Sequence, residues 1–366
     1  MVALLSRFLV ADAKRSMIGG GAIDSQEADM HVDPRALDEA IDAEAFTGVA
    51  TVDVADRRIL ERCEGFIHRA LRVPMTARAR IAIASGSKTF TALAVMRLVE
   101  DGELRLEQPV RALLGDDLPL IDKGVTIEHL LTHTSGIGDY LDEDSDWETS
   151  DYVLSLPVHT LTTAEAFLPM LQGHPQKFAA GGQFAYCNGG YMVLAVMLER
   201  ATGSTYHDVV RRLVFEPAGL ERTGFLRLNE LPADAAPGYI SNEGDLMNTL
   251  HLPVLGNGDG GAFTTADDLH RFWLALLDGR IVSQKTVGEM TRPRQDVPDE
   301  NMRYGMGFWI HRTHPALILE GYDAGASFRS THIIDAQTTV SVLGNSSQGA
   351  WSVISALARA IDAELG

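Results

Sequence analysis

The sequence predicts an α+β protein: an antiparallel sheet flanked by helices is assembled from both chain ends, and an all-helical lobe is inserted in it. Two changes of pattern carry that expectation. Short strand-like runs fall between Phe46 and Ala84 and again beyond Leu317, and the stretch between them has apolar residues at helical spacing. The chain of 366 residues is 45% apolar, enough for a real core. The division expected is an N-terminal extension over 1–32, a sheet unit from 33–84 plus 291–366, and a mainly helical lobe over 85–290, together one discontinuous catalytic unit.

The elements follow in order. Met1 to Val10 is apolar but short and broken by Arg7, and Lys14-Arg15 stands on the wrong side for a signal peptide. It reads as a docking helix, with peripheral membrane contact as the alternative, and a cytoplasmic location is expected over a periplasmic or exported one. No stretch approaches the roughly 20 apolar residues that cross a bilayer. Gly48 to Val54, a turn at Ala55-Asp56-Arg57-Arg58, and Ile59 to Phe66 read as a hairpin. Amphipathic helices are expected at Phe90 to Glu100, Ile127 to Leu131, Gly190 to Ala201, Tyr206 to Leu213 and Ala266 to Leu277. Strands return at Leu317 to Glu320, Ser327 to Ile334 and Thr338 to Leu343, and a helix from Trp351 to Leu365 closes the chain.

Charge and cysteine content exclude whole classes. Lys plus Arg number 31 against 50 acidic residues, and the formal charge of −19 repels phosphate backbones, so nucleic acid is not an expected partner. The only cysteines are Cys63 and Cys187, which provide neither a disulfide framework nor a cysteine-rich metal site. The segment Asp139 to Asp151, with Asp142, Glu143, Asp144, Asp146 and Glu148 around Trp147, reads as a solvated acidic loop or as an active-site lid.

Ser85-Gly86-Ser87-Lys88 enters the apolar run Thr89 to Met96 and places a hydroxyl and an amine three residues apart at a helix start. Residues so spaced share a face, and a buried amine can activate a serine that is otherwise a poor nucleophile. Tyr186-Cys187-Asn188 follows the turn Ala179-Ala180-Gly181-Gly182 and sends a phenol and an amide to the same side of an extended segment. A phenol beside a lysine, partly as phenolate, can pass the serine proton to a leaving group, and the amide can hold Lys88 and a substrate carbonyl.

With these two motifs, the chain resembles the β-lactamase-related serine hydrolases, the group that joins class C β-lactamases, D-alanyl-D-alanine carboxypeptidases and esterases. The resemblance runs from about Asp33 to about Ile361 and includes Leu130-Leu131-Thr132-His133-Thr134-Ser135-Gly136, Val214 to Thr223, Gly260 to Leu269 and Tyr304-Gly305-Met306-Gly307-Phe308. It implies a β-lactamase/transpeptidase-like fold with the active site between the sheet and the helical lobe, and an acyl-enzyme on Ser85, with Lys88 and Tyr186 handling the proton and Asn188 orienting Lys88 and substrate. It further implies an oxyanion hole from the backbone N–H of Ser85 and of a residue on a sheet edge strand. There the chain departs from the family's basic third motif: Glu320 to Ser330 places Tyr322 at the basic position, Asp323 beside it and Gly325 as the second N–H donor, with a slip of register left open. Loss of the cation disfavours penicillins and D-Ala-D-Ala ends, unless Arg329 or another arginine restores it. Lys285-Thr286-Val287-Gly288 lies ahead of the strand and is set aside.

His133 reads as a structural loop histidine, and with Leu130 where a zinc protease needs glutamate, the His129/His133 pair is not expected to bind metal. Cys187 is placed in the cleft, and Gly256 to Gly261 at the active-site rim. No metal or cofactor is expected. The partner expected is a small acyl substrate, and nothing indicates an oligomer. The function expected is an esterase or deacylase on small acyl esters or amides. A β-lactamase or D-amino-acid peptidase is the first alternative, and a non-hydrolytic penicillin-binding-like protein the second.

Overall fold

The computed structural model describes residues 32–143 and 151–365. The N-terminal segment read as a docking helix and the acidic residues Asp144, Asp146 and Glu148 lie outside the described residues. Strands β1 (Gly48–Val54) and β2 (Arg57–Glu64) form the expected hairpin. Its turn is shorter than the sequence suggested: Ala55 and Asp56 alone make it, so Arg57 and Arg58 already pair with Val54 and Asp53. β3 (Phe66–His68) pairs with β4 (Val73–Pro74), and β5 (Ile81–Ala82), β6 (Gly224–Phe225) and β7 (Ala262–Thr264) make a small second ribbon. The chain then completes the main sheet with β8 (Gln295–Val297), β9 (Met302–Tyr304), β10 (Trp309–His311), β11 (Ala316–Asp323), β12 (Ala326–Ile333) and β13 (Thr338–Gly344).

The main sheet has eight antiparallel strands in the order β2-β1-β13-β12-β11-β10-β9-β8, so the two chain ends meet at the β1–β13 pairing. Every residue of β13 is buried, as befits a central strand covered on both faces. One face carries the helices Pro34–Ala43 and Trp351–Leu365, whose Leu37, Val353 and Leu357 pack on Ala50, Val52 and Val342. Asp33 caps the first of them, its Oδ1 accepting from Arg35 N at 3.0 Å, and Pro34 supplies a preset φ at the first helical position.

The opposite face of the sheet joins the large core of the helical lobe. At its centre runs the helix Lys88–Glu100, buried on nearly every side and so only weakly amphipathic. Phe90 packs edge-on against Phe215 and Phe272, and the helix Asn188–Thr202 lies in the same core through Tyr191, Leu194 and Val196. The helix Ala266–Leu277 lies on the sheet itself, with Trp273 Nε1 donating to Ser330 Oγ at 2.9 Å. It thus belongs to the layer over the sheet although it precedes residue 291. The expected helix over 206–213 begins as α at Tyr206–Val210 and widens into a π turn at Arg211–Phe215. Among the described residues, no helix is long and apolar enough to cross a membrane.

Candidate active site

Ser85 sits in a 3-10 turn, Ala84–Ser87, immediately before the helix Lys88–Glu100. Ala84 at φ 45° turns the chain sharply at this point, a conformation that non-glycine residues adopt at a cost and that clusters at functional sites. The turn delivers the Ser85 side chain into the cleft while Lys88, only 2% exposed, starts the buried helix beneath it. Lys88 Nζ donates to Ser85 Oγ at 2.9 Å, to Asn188 Oδ1 at 2.8 Å and to the Asp259 carbonyl at 2.7 Å. Its ammonium has three donors, and each has an acceptor.

Tyr186 approaches from the other lobe edge. Its hydroxyl lies near enough to Ser85 for the serine to favour the ionised phenol, and its ring faces Lys88 Nζ at 4.9 Å. Burial, then the Glu143 carboxylate, hold the phenol well above its ordinary range. The expectation of partial phenolate is therefore corrected: burial first, then the Glu143 carboxylate with Asp259 and Glu320, outweigh the favourable effect of Ser85 and keep Tyr186 a neutral phenol. His133 fixes the ring. It stacks on Tyr186 with centroids 4.3 Å apart, accepts from Cys187 N through Nδ1 at 3.0 Å, and is kept neutral by burial and by Lys88. His129 is spent in a capping box, its Nδ1 accepting from Thr126 N at 3.2 Å.

Asp139 was grouped by sequence with the acidic loop, but the structure buries it at the start of the helix Asn188–Thr202. Its carboxylate accepts from Asn188 N at 2.5 Å and Gly189 N at 2.8 Å. Anions at helix N-termini are favourable, although burial still pushes Asp139 up to about 6. Nearby, the Tyr140 hydroxyl donates to the Asp259 carboxylate, which steadies the residue whose carbonyl holds Lys88. Cys187 does not line the cleft: its Sγ turns inward as the helix N-cap and accepts from Gly190 N at 3.3 Å. The rim at Gly256 to Gly261 does line the opening beside Ser85.

The third motif requires a correction of register. Gly325 occupies the β11–β12 turn at φ 80°, and its N–H donates to Ser347 Oγ at 2.8 Å, so it faces away from Ser85. The glycine that meets the serine is Gly321: a Cβ there would stand 2.2 Å from the Ile83 carbonyl and 2.8 Å from Ser85 N. Asp323 pairs with Ala326 next to the turn, and alternation along the antiparallel ladder then directs Gly321 N–H to β12 and Tyr322 N–H to the opposite edge, on the Ser85 side. The Tyr322 ring leaves the cleft, its hydroxyl accepting from Gln348 Nε2 at 2.9 Å. Arg329 pairs with Glu320 and restores no cation beside Ser85. Asp323 does face the cleft, with burial raising it to about 7.

Two cavities open from Ser85. One, of about 930 Å³, is walled by apolar Leu141, Leu154, Leu228, Leu252 and Phe263, with Asp323 at one side. The other, of about 1000 Å³, lies on the Tyr186 side between Phe184, Trp309 and Glu300. No lysine or arginine side chain lines either cavity among the described residues.

This pairing of fold and site has relatives. The Beta-lactamase family profile matches residues 34–364, and the chain belongs to that family. It is 27% identical to the putative penicillin-binding protein PbpX of Bacillus subtilis, over 72% of this chain and 62% of that protein. It is 34% identical to the esterase EstB of Burkholderia gladioli, over 52% of this chain and 50% of that protein. The chain thus spans about half to three-fifths of these curated relatives. Among solved structures, a penicillin-binding protein from Bacillus halodurans superposes with a TM-score of 0.81 at 33% identity, covering 88% of this chain and 99% of that one.

Proposed function

We propose that this protein is a serine hydrolase that forms an acyl-enzyme on Ser85 and cleaves small acyl esters or amides. The observation that carries the reading is the position of Ser85 Oγ, 2.9 Å from Lys88 Nζ, beside the Tyr186 phenol and open to two cavities. Lys88 as the free amine takes the serine proton, Ser85 attacks the acyl carbon, and Tyr186 passes a proton to the departing oxygen or nitrogen. Water then releases the acyl group by the same path in reverse. The developing oxyanion rests on the N–H groups of Ser85 and Tyr322, where one donor is commonly worth about 3 kcal/mol.

The leucine-lined cavity suits an apolar acyl chain, and the name of the related esterase EstB is consistent with this substrate class. A β-lactamase or D-amino-acid peptidase reading needs a cation for the substrate carboxylate, and the cleft offers carboxylates instead. The test is a panel of p-nitrophenyl butyrate, nitrocefin and a D-Ala-D-Ala peptide on wild type and Ser85→Ala. Ester turnover that vanishes in the variant supports the reading. Nitrocefin or peptide turnover exceeding ester turnover replaces it with the alternative, and absence of all three favours a binding protein.

A further inference from the structure

The Tyr186-side cavity carries charge that the acylation chemistry does not use. Glu143, Asp299, Glu300 and Glu320 line it together with the rings of Phe184, Tyr186 and Trp309. Glu320 is balanced by Arg329 behind it. Glu300 is different: it is 4% exposed, stands between this cavity and a neighbouring one lined by Arg329, His311 and His314, and its carboxylate accepts no hydrogen bond and forms no ion pair with any described residue. A buried carboxylate without a partner is costly, and natural sites retain one where something binds it. Trp309 and Tyr186 present parallel ring planes, 10° apart, at a centroid distance of 6.2 Å, and Phe184 meets Trp309 at 6.2 Å. Aromatic faces beside carboxylates form the environment that holds an ammonium group.

We propose that this cavity is a subsite for an ammonium group on the leaving part of the substrate, held by Glu300 beside the rings of Trp309, Phe184 and Tyr186. The placement rests on the reading of Ser85 as the acylated residue, because Tyr186, the group that would protonate the leaving atom, forms one wall. Burial and the neighbouring Glu320, Glu143 and Asp299 push Glu300 up to about 8 against the opposing effect of Arg329. A bound cation relieves that repulsion. The acyl cavity has leucine walls and carboxylates that disfavour an acid, so the substrate class is an ester or amide of a small neutral acid with an amine-bearing alcohol or amine.

The test compares acetylthiocholine with S-(3,3-dimethylbutyl) thioacetate, its uncharged isostere. In wild type at low salt the cationic ester should have a KM about tenfold lower. The ratio should approach one in Glu300→Gln and fall part of the way in Asp299→Asn, whose side chain is exposed. A ratio near one in wild type, or one preserved in both variants, overturns the proposal. Calorimetric titration of tetramethylammonium into Ser85→Ala reads the subsite without turnover. Heat in Ser85→Ala that is lost on adding Glu300→Gln, with neither ester cleaved by wild type, sinks the acylation reading and leaves the subsite standing. Cleavage of both esters at equal rates with no heat of binding does the opposite.

Discussion

Lys88 Nζ donates to Asn188 Oδ1 at 2.8 Å, joining the first residues of two helices that lie 100 positions apart in the chain. That bond aims the amine at Ser85, and the Asn188 amide is held in turn by the Leu141 carbonyl at 3.0 Å and Glu143 at 3.1 Å. Asn188→Ala should lower kcat on a short-chain ester by about 100-fold while the protein still folds. Circular dichroism and steady-state kinetics check both parts. An unchanged kcat would show that the two remaining acceptors suffice.

Tyr186→Phe removes the phenol and keeps the ring on which His133 stacks. The expected loss in kcat is about 100-fold or more with little change in Tm. Because burial and Glu143 keep the phenol well above its usual range, the wild-type rate should show no limb from phenol ionisation between pH 6 and about 10.

Gly321→Ala separates the two candidate glycines of the third motif. Its Cβ would meet the Ile83 carbonyl at 2.2 Å and Ser85 N at 2.8 Å, forcing β11 away from the serine. Activity should fall at least about 100-fold, the scale of one lost oxyanion donor. Gly325→Ala is strained by its φ of 80° and should lower Tm, with a much smaller effect on kcat. Equal kinetic effects would return the register to the one first expected.

Glu300 gives a pH dependence of stability with a definite sign. Its folded-state value of about 8 lies above the ordinary 4.5, so its contribution is fully present below pH 4.5 and is lost as pH rises through 8. Burial sets that shift first, then Glu320, Glu143 and Asp299, with Arg329 opposing. Glu300→Gln should therefore gain on wild type as pH rises, by on the order of a few kcal/mol at pH 8.5 relative to pH 5. Thermal melts of both proteins across this range check it, and a Tm difference independent of pH contradicts it.

Cys187 is buried, serves as a helix N-cap and has its thiol raised well above the usual range. Iodoacetamide should leave the native enzyme active over hours and label Cys187 only after denaturation. Rapid inactivation with label at Cys187 would place the thiol in the cleft.

Much of this architecture was legible in the residues. The two terminal strand regions, the closing helix and the pairing of Ser85-x-x-Lys88 with Tyr186-x-Asn188 follow from periodicity, resemblance and chemistry. β8, β9 and β10 were missed because each is three residues long, too short for alternation to register. Asp259 was missed because it holds Lys88 through its carbonyl, and a backbone acceptor has no signature beyond its glycine-rich turn. Asp139 was hidden among neighbouring acids. The third motif slipped because the sequence cannot say which glycine of β11 and its turn touches the serine; strand alternation and the Gly321 contact decide it.

The most direct measurement is the mass of the intact protein after acid quench during turnover of p-nitrophenyl butyrate. The account predicts a butyryl adduct mapping to Ser85 in wild type, and neither adduct nor ester turnover in Ser85→Ala. Turnover at the wild-type rate in that variant, or an adduct on another residue, would contradict it.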